Sequence, residues 1–199
     1  MNKRTELNFA KEVISTFDFL TKEYNFRLVG TDCLYVVRYE SNLVFINIYH
    51  EKISYELGFS IGLLSDKEKR GYTIDELVRL KDLGAEKQPI FFQASTKKDV
   101  KHCIQELSKL VKQNGGLALK EDRSVFVHLD RIREDLGSKQ QREYELRQVR
   151  KEAQEFWKKK TYDRLIELYS SIFDDLTQSE IKKLIYARNQ LKKIGLNKL

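Results

Sequence analysis

An α+β fold is predicted by a change of hydrophobic period along the 199 residues: an N-terminal helix, a four- or five-stranded antiparallel sheet with flanking helices, and an all-helical C-terminal subdomain. Apolar residues recur at helical spacing up to residue 24, in short β-favouring runs through residue 61, and again at helical spacing from residue 100 onward. With 41% hydrophobic residues, including 11 Phe and 10 Tyr, and only nine Gly and one Pro, the chain has the material for a packed core and lacks the bias of a disordered or fibrous sequence.

Over residues 5–24, Leu7, Ala10, Ile14 and Phe17, widened by Val13 and Leu20, form the stripe of one amphipathic helix. Four β-favouring runs follow at 26–29, 33–39, 43–49 and 53–61, separated by Gly30-Thr31-Asp32, Glu40-Ser41-Asn42 and His50-Glu51-Lys52. Links this short force antiparallel pairing, because a parallel crossover needs about a dozen residues. In the last run Ile53, Tyr55, Leu57, Phe59 and Ile61 alternate with Ser54, Glu56, Gly58 and Ser60, so one face is expected to be buried and the other weakly covered. In the preceding run Val44, Ile46 and Ile48 oppose Leu43, Phe45 and Tyr49, which predicts partial cover of the second face by a helix.

After a charged loop at 65–71, Thr73 followed by Glu76 is a capping box that opens a short helix reaching residue 83. Residues 84–89, ending at Pro89, break the chain before Ile90-Phe91-Phe92, which reads as a fifth strand or a buried loop. Val100, Cys103, Ile104, Leu107 and Val111 mark the next helix, stopped at Asn114-Gly115-Gly116. Every later stripe is helical: Val125, Leu129, Ile132 and Leu136; then, past a kink or loop at Gly137-Ser138, Leu146, Val149, Ala153 and Phe156; then Tyr162, Leu165, Ile166 and Tyr169. A second capping box, Thr177 with Glu180, opens the last helix. The resulting division is an α+β domain at 1–116 and a helical subdomain at 117–199 packed against it.

The net charge of +7 is unevenly spread: residues 1–124 carry 20 basic and 18 acidic side chains, whereas residues 125–199 carry 17 and 12. A positive field steers acidic partners, nucleic acid or anionic lipid, and does not choose among them. No apolar run approaches the ~18 residues of a membrane-crossing helix. The polar start, Met1 to Arg4, leads into an interrupted amphipathic segment rather than an export signal. Integral membrane association is therefore not expected, and with only Cys33 and Cys103 a reducing cytoplasm is the expected setting.

Catalytic and cofactor chemistry has little support in the residues. His50, His102 and His128 stand apart, neither cysteine has a partner at metal-ligand spacing, and no catalytic, metal or cofactor residue is assigned. Cys103 lies on an apolar stripe, where a packed thiol is expected rather than a Cys-His pair with His102. Gly58 and Gly62 lie within a strand and lack the helix-opening element of a phosphate loop. Glu51 and Glu56 beside His50 are the nearest approach to a polar cluster, and a metal-dependent nuclease would be the enzyme most compatible with the charge.

Two binding surfaces are expected instead. Tyr35, Tyr39, Tyr49, Tyr55 and Tyr72 crowd the αβ part, and tyrosine suits a protein interface because an apolar ring ends in a polar group. Another protein is thus the first expected partner, through a non-catalytic interaction module of regulatory kind. In the tail Arg142, Arg147, Arg150, Lys151, Lys158, Lys159 and Lys160 surround Phe156 and Trp157, a mixture suited to phosphates and bases, although Glu143, Glu145, Glu152 and Glu155 are interleaved. Nucleic acid is the alternative partner. Lys182, Lys183, Lys192 and Lys193 read as plain surface charge on the last helix.

The runs Phe26-Arg27-Leu28-Val29-Gly30, Leu34-Tyr35-Val36-Val37-Arg38-Tyr39-Glu40-Ser41, Val44-Phe45-Ile46-Asn47-Ile48-Tyr49 and Tyr55-Glu56-Leu57-Gly58-Phe59-Ser60-Ile61-Gly62 together resemble the small α+β proteins of unknown function found in bacterial genomes, some of which act as immunity proteins. The resemblance spans roughly residues 1–110. It implies a non-enzymatic protein that masks a toxin through a surface complex, and it carries no functional residue over to this sequence.

Overall fold

The structure, a computed structural model, describes residues 5–32, 35–66, 71–81 and 89–196. Met1 to Arg4, Cys33, most of the charged loop at 65–71 and the chain break at 84–88 with the expected helix end at 83 lie outside the described residues. The chain divides into two compact units, Met1–Glu134 and Asp135–Leu199. The α+β class holds, with an N-terminal helical segment, a multi-stranded antiparallel sheet, flanking helices and a helical C-terminal part.

In the first unit the expected single N-terminal helix is broken into α1 (Phe9–Thr16) and α2 (Phe19–Glu23). Phe17 and Phe19 are both buried, and a continuous helix would point residues two apart about 200° from each other. Interrupting the helix at Phe17 and Asp18 lets both rings reach the core. The sheet comprises β1 (Arg27–Asp32), β2 (Val36–Glu40), β3 (Val44–His50), β4 (Glu56–Leu63), β5 (Tyr72–Thr73) and β6 (Phe92–Gln93). Its order is β1-β2-β3-β4-β5, all pairs antiparallel, with β6 pairing Glu56 and Leu57 at the start of β4 while β5 pairs Ser60 and Ile61 further along it.

Two strand boundaries differ from the expected ones. Gly30-Thr31-Asp32 is strand rather than turn, because a bulge between Leu28 and Gly30 absorbs one residue and lets β1 go on pairing with β2. At the other end Tyr55 adopts a left-handed φ of 58° and Ile53 is 91% exposed, so β4 starts only at Glu56. From there the expected alternation holds: Leu57, Phe59 and Ile61 join Val37, Tyr39, Ile46 and Ile48 on the buried face. That face is covered by α1 and by α4 (Lys97–Asn114), whose Val100, Ile104, Leu107 and Val111 are fully buried. The opposite face carries a polar row in register, with the Arg38 guanidinium donating to Asn47 (3.0 Å) and the Asn47 amide to Ser60 (3.4 Å).

α3 (Ile74–Arg79) opens with the expected capping box between Thr73 and Glu76. Past α4 a short α5 (Gly116–Leu119) leads into α6 (Arg123–Lys159). The first turns of α6 belong to the first unit: Val125, Phe126 and Leu129 enter its core, Tyr72 donates a 2.6 Å hydrogen bond to Asp130, and Arg133 forks onto the buried Glu76 at 2.7 and 3.0 Å while donating to the Gly71 carbonyl. Arg133 also lies 4.2 Å above the Tyr72 ring.

Gly137-Ser138 forms no kink or loop, since α6 runs through it on strong helix formers at both sides. A Cβ at Gly137 would meet nothing within 4 Å. Gly137→Ala is accordingly expected to raise stability by about 0.5–1 kcal/mol, read as a shift in the denaturation midpoint.

The second unit adds α7 (Tyr162–Ser171) and α8 (Gln178–Leu196) to the last turns of α6. Its core is Leu146, Ala153, Leu165, Tyr169, Ile172, Leu184 and Ala187. Among the described residues no helix is long and apolar enough to cross a membrane.

Candidate functional site

The second unit builds a cleft from three short stretches of chain. α6 ends at Lys159, and Lys160 takes the left-handed conformation with φ 58°. The Lys160 N–H returns to the Trp157 carbonyl (3.2 Å) and the Thr161 N–H to the Phe156 carbonyl (3.0 Å), the paired bonds of a Schellman terminus. This tight reversal sets Trp157, in the last turn of α6, close to Tyr162, the first residue of α7. α8 supplies the third wall: Ser179, Lys182, Lys183 and Tyr186 fall at i, i+3, i+4 and i+7, one face of the helix.

The three rings touch one another edge-on. Ring centroids lie 5.5 Å apart for Trp157 and Tyr186, 6.0 Å for Tyr162 and Tyr186, and 6.2 Å for Trp157 and Tyr162, with planes inclined by 65° to 72°. Trp157 and Tyr162 rest against the helical core on one side, while Tyr186 is 47% exposed. Burial, followed by the neighbouring Tyr186, pushes the Tyr162 phenol above its ordinary value, which keeps it a neutral hydrogen-bonding group at physiological pH. Around the rings stand Lys158, Lys160, Lys182 and Lys183, the last with its Nζ 5.6 Å from the Trp157 ring centre. The cleft is open to solvent, with a volume of about 660 Å³, and none of its described lining residues is a carboxylate. An exposed ion pair of 3.0 Å with Glu155 occupies Lys158 from one side.

Of the tail residues expected to contact nucleic acid, Trp157, Lys158 and Lys160 line this cleft. Arg147, Lys151 and Lys159 are exposed on α6 outside it. Arg142 and Arg150 hold the unit together instead: Arg142 pairs with Asp175, and Arg150 donates to Glu180 (2.9 Å) and to the Asp175 carbonyl (2.7 Å). The sequence reads Tyr162 as part of a helical stripe and Lys182 and Lys183 as plain surface charge, and it assigns no role to Ser179 or Tyr186, although the i, i+3, i+4, i+7 placement of the α8 residues is a readable signal.

The expected capping box at Thr177 anchors this wall, the Thr177 N–H donating to Glu180 at 2.7 Å. Burial works against ionisation of Glu180, but the Thr177 N–H, the Arg150 guanidinium and the Thr177 hydroxyl together hold its carboxyl below the ordinary value. A depressed folded-state pKa contributes stability that is complete above the unfolded value of about 4.3 and is lost as pH falls through the folded one. The stability difference between wild type and Glu180→Gln is therefore expected to be constant at neutral pH and to shrink toward zero in denaturant titrations taken below about pH 4.

The tyrosines of the αβ part do not assemble one face. Tyr39 is 1% exposed and Tyr72 is buried, so both are core residues and drop out of any exposed interface. Burial, and then the Asp18 charge, raises the Tyr39 phenol to about 12. Tyr49 lies half-buried on the opposite sheet face with its ring across Gly58, which makes that glycine a packing site. Tyr55 packs edge-on against His50, and Tyr35 is half-buried in the turn before β2. His50 is itself buried and donates Nε2–H to the Ala94 carbonyl at 2.8 Å, while Glu51 is exposed. Burial, with Asp99 adding to it, raises the Cys103 thiol, consistent with its place on the packed face of α4. Among the described residues no group of three or more His, Cys, Asp or Glu is placed to hold a metal ion.

No family description, curated protein or solved structure matches this chain.

Proposed function

We propose that the protein binds nucleic acid through the helical unit, with the cleft between the end of α6, the start of α7 and one face of α8 as the contact surface. The observation that carries the reading is the convergence of four lysines on an aromatic floor, with no carboxylate among the described lining residues. Lysines supply phosphate contacts whose strength comes from counterion release, and rings supply a sequence-tolerant surface for bases. Sequence-distant residues make this arrangement: Lys158 and Lys160 come from one chain reversal, Lys182 and Lys183 from a helix that starts 18 residues after it. Of the five tyrosines of the alternative, protein-binding surface, Tyr39 and Tyr72 are interior, while Tyr35, Tyr49 and Tyr55 are half-buried.

Fluorescence anisotropy of a labelled oligonucleotide over a salt series tests the reading. With three to four lysines on phosphates, log affinity is expected to fall with log salt at a slope of about −2 to −3. Absence of binding at low ionic strength, or binding indifferent to salt, would remove the proposal.

A further inference from the structure

Resting on that reading, we infer that the cleft is built for single strands: it takes an unpaired base on its aromatic floor while the lysines hold the flanking phosphates. A surface that recognised only polyanions would need the lysines and no rings. Here three mutually touching rings and four lysines line one cleft, the two components that single-strand binders combine as a stacking platform and an electrostatic grip. No pair of rings is stacked in parallel; all three contacts are edge-on, so no ring is sandwiched by a parallel partner, and the Lys183 ammonium over the Trp157 ring places a cation on the same platform. Tyr186 is the most open of the three and borders Lys182 and Lys183 on the same helix face.

Size points the same way. At about 660 Å³ the open cleft falls in the range of roughly 300–1,000 Å³ of small-ligand sites, room for one or two splayed-out nucleotides. A duplex presents its bases edge-outward within grooves and its stacked faces to one another, leaving nothing for the rings to cover. The left-handed Lys160 holds the α6–α7 reversal tight, so Trp157 and Tyr162 are positioned before any ligand arrives.

Trp157 is the sole tryptophan of the chain, so its fluorescence reports this cleft alone. The test titrates the intact protein at low salt with a dT oligonucleotide, its rU counterpart, an abasic oligomer of the same length, and a duplex of the same total charge. Expected is saturable quenching of Trp157 by at least one single strand, with affinity roughly 5- to 150-fold above the abasic oligomer, the range set by one stacked base. The deoxy and ribo arms tell which backbone the lysines favour. Tyr186→Leu, at an exposed position where folding can be verified by circular dichroism, is expected to lose most of that preference. Equal binding of single strand, duplex and abasic oligomer without change in Trp157 emission would overturn the stacking inference and leave nucleic-acid binding standing. No binding of any of the four would overturn both.

Discussion

Reversing the two lysines of α8, Lys182→Glu with Lys183→Glu, is expected to weaken nucleic-acid binding by about 100-fold at low salt and to flatten the salt dependence by roughly 1.4 in log–log slope, two contacts at about 0.7 each. The effect is large because two attractive charges become repulsive in a cleft whose described lining has no other anion to dilute them. Lys182 is exposed, Lys183 is half-exposed, and neither enters an ion pair among the described residues of the second unit, so the fold is expected to survive. Anisotropy titrations of the double variant, with circular dichroism as the control, make the comparison. The same reversal at Lys192 and Lys193, which do not line the cleft, is expected to cost far less; equal losses at the two sites would mean that only total charge matters.

The second large effect concerns stability of the αβ unit. Arg133→Leu leaves Glu76, whose side chain is only 9% exposed, without its guanidinium, and it strips the Gly71 carbonyl of a donor. Removing one partner of a buried ion pair costs about 3–5 kcal/mol because the remaining charge stays out of water. Arg133 keeps 34% of its side chain exposed, and water can reach the vacated position, so the expected loss is about 2–3 kcal/mol. Urea denaturation is expected to show this as a lower midpoint at unchanged slope. Arg133→Lys should recover part of it by retaining charge without the fork onto both carboxylate oxygens. A loss below about 0.5 kcal/mol would show that the first turns of α6 are held by Val125, Phe126 and Leu129 alone.

Much of the fold was legible because it depends on local period. The buried alternation of Leu57, Phe59 and Ile61, the stripe of α4 and both capping boxes sit where spacing alone put them. What spacing missed were features set by tertiary demand. The N-terminal helix breaks because Phe17 and Phe19 must both be buried, and α6 passes through Gly137 because its neighbours favour helix more than one glycine opposes it. The two-residue strand β5 is invisible to any period, and β6 falls at the end of the Ile90-Phe91-Phe92 segment that reads as a strand or a buried loop; both exist because β4 has an edge to pair.

The cleft was half legible for a related reason. Trp157, Lys158 and Lys160 are neighbours in sequence and attract notice as an aromatic-basic cluster. Arg142 and Arg150 belong to the same charged stretch but face Asp175 and Glu180, a pairing that only the return of α8 reveals. Conversely Lys182 and Lys183 look like ordinary surface charge until the chain reversal at Lys160 brings Tyr162 and Trp157 against Tyr186. Tyrosine count was a poor guide in the αβ part, since a ring on a strand reaches core or solvent according to the parity of its position: Tyr39 points inward and Tyr49 outward on adjacent strands.

The most direct measurement is a titration of the isotope-labelled full chain with a single-stranded oligonucleotide, followed by backbone amide chemical shifts and the indole N–H of Trp157. Binding in the cleft predicts that the Trp157 indole moves most, together with amides around 157–162 and 179–186. Shifts confined to the polar sheet face around Arg38, Asn47 and Ser60, or an unmoved Trp157 indole at saturation, would contradict the assignment of the site.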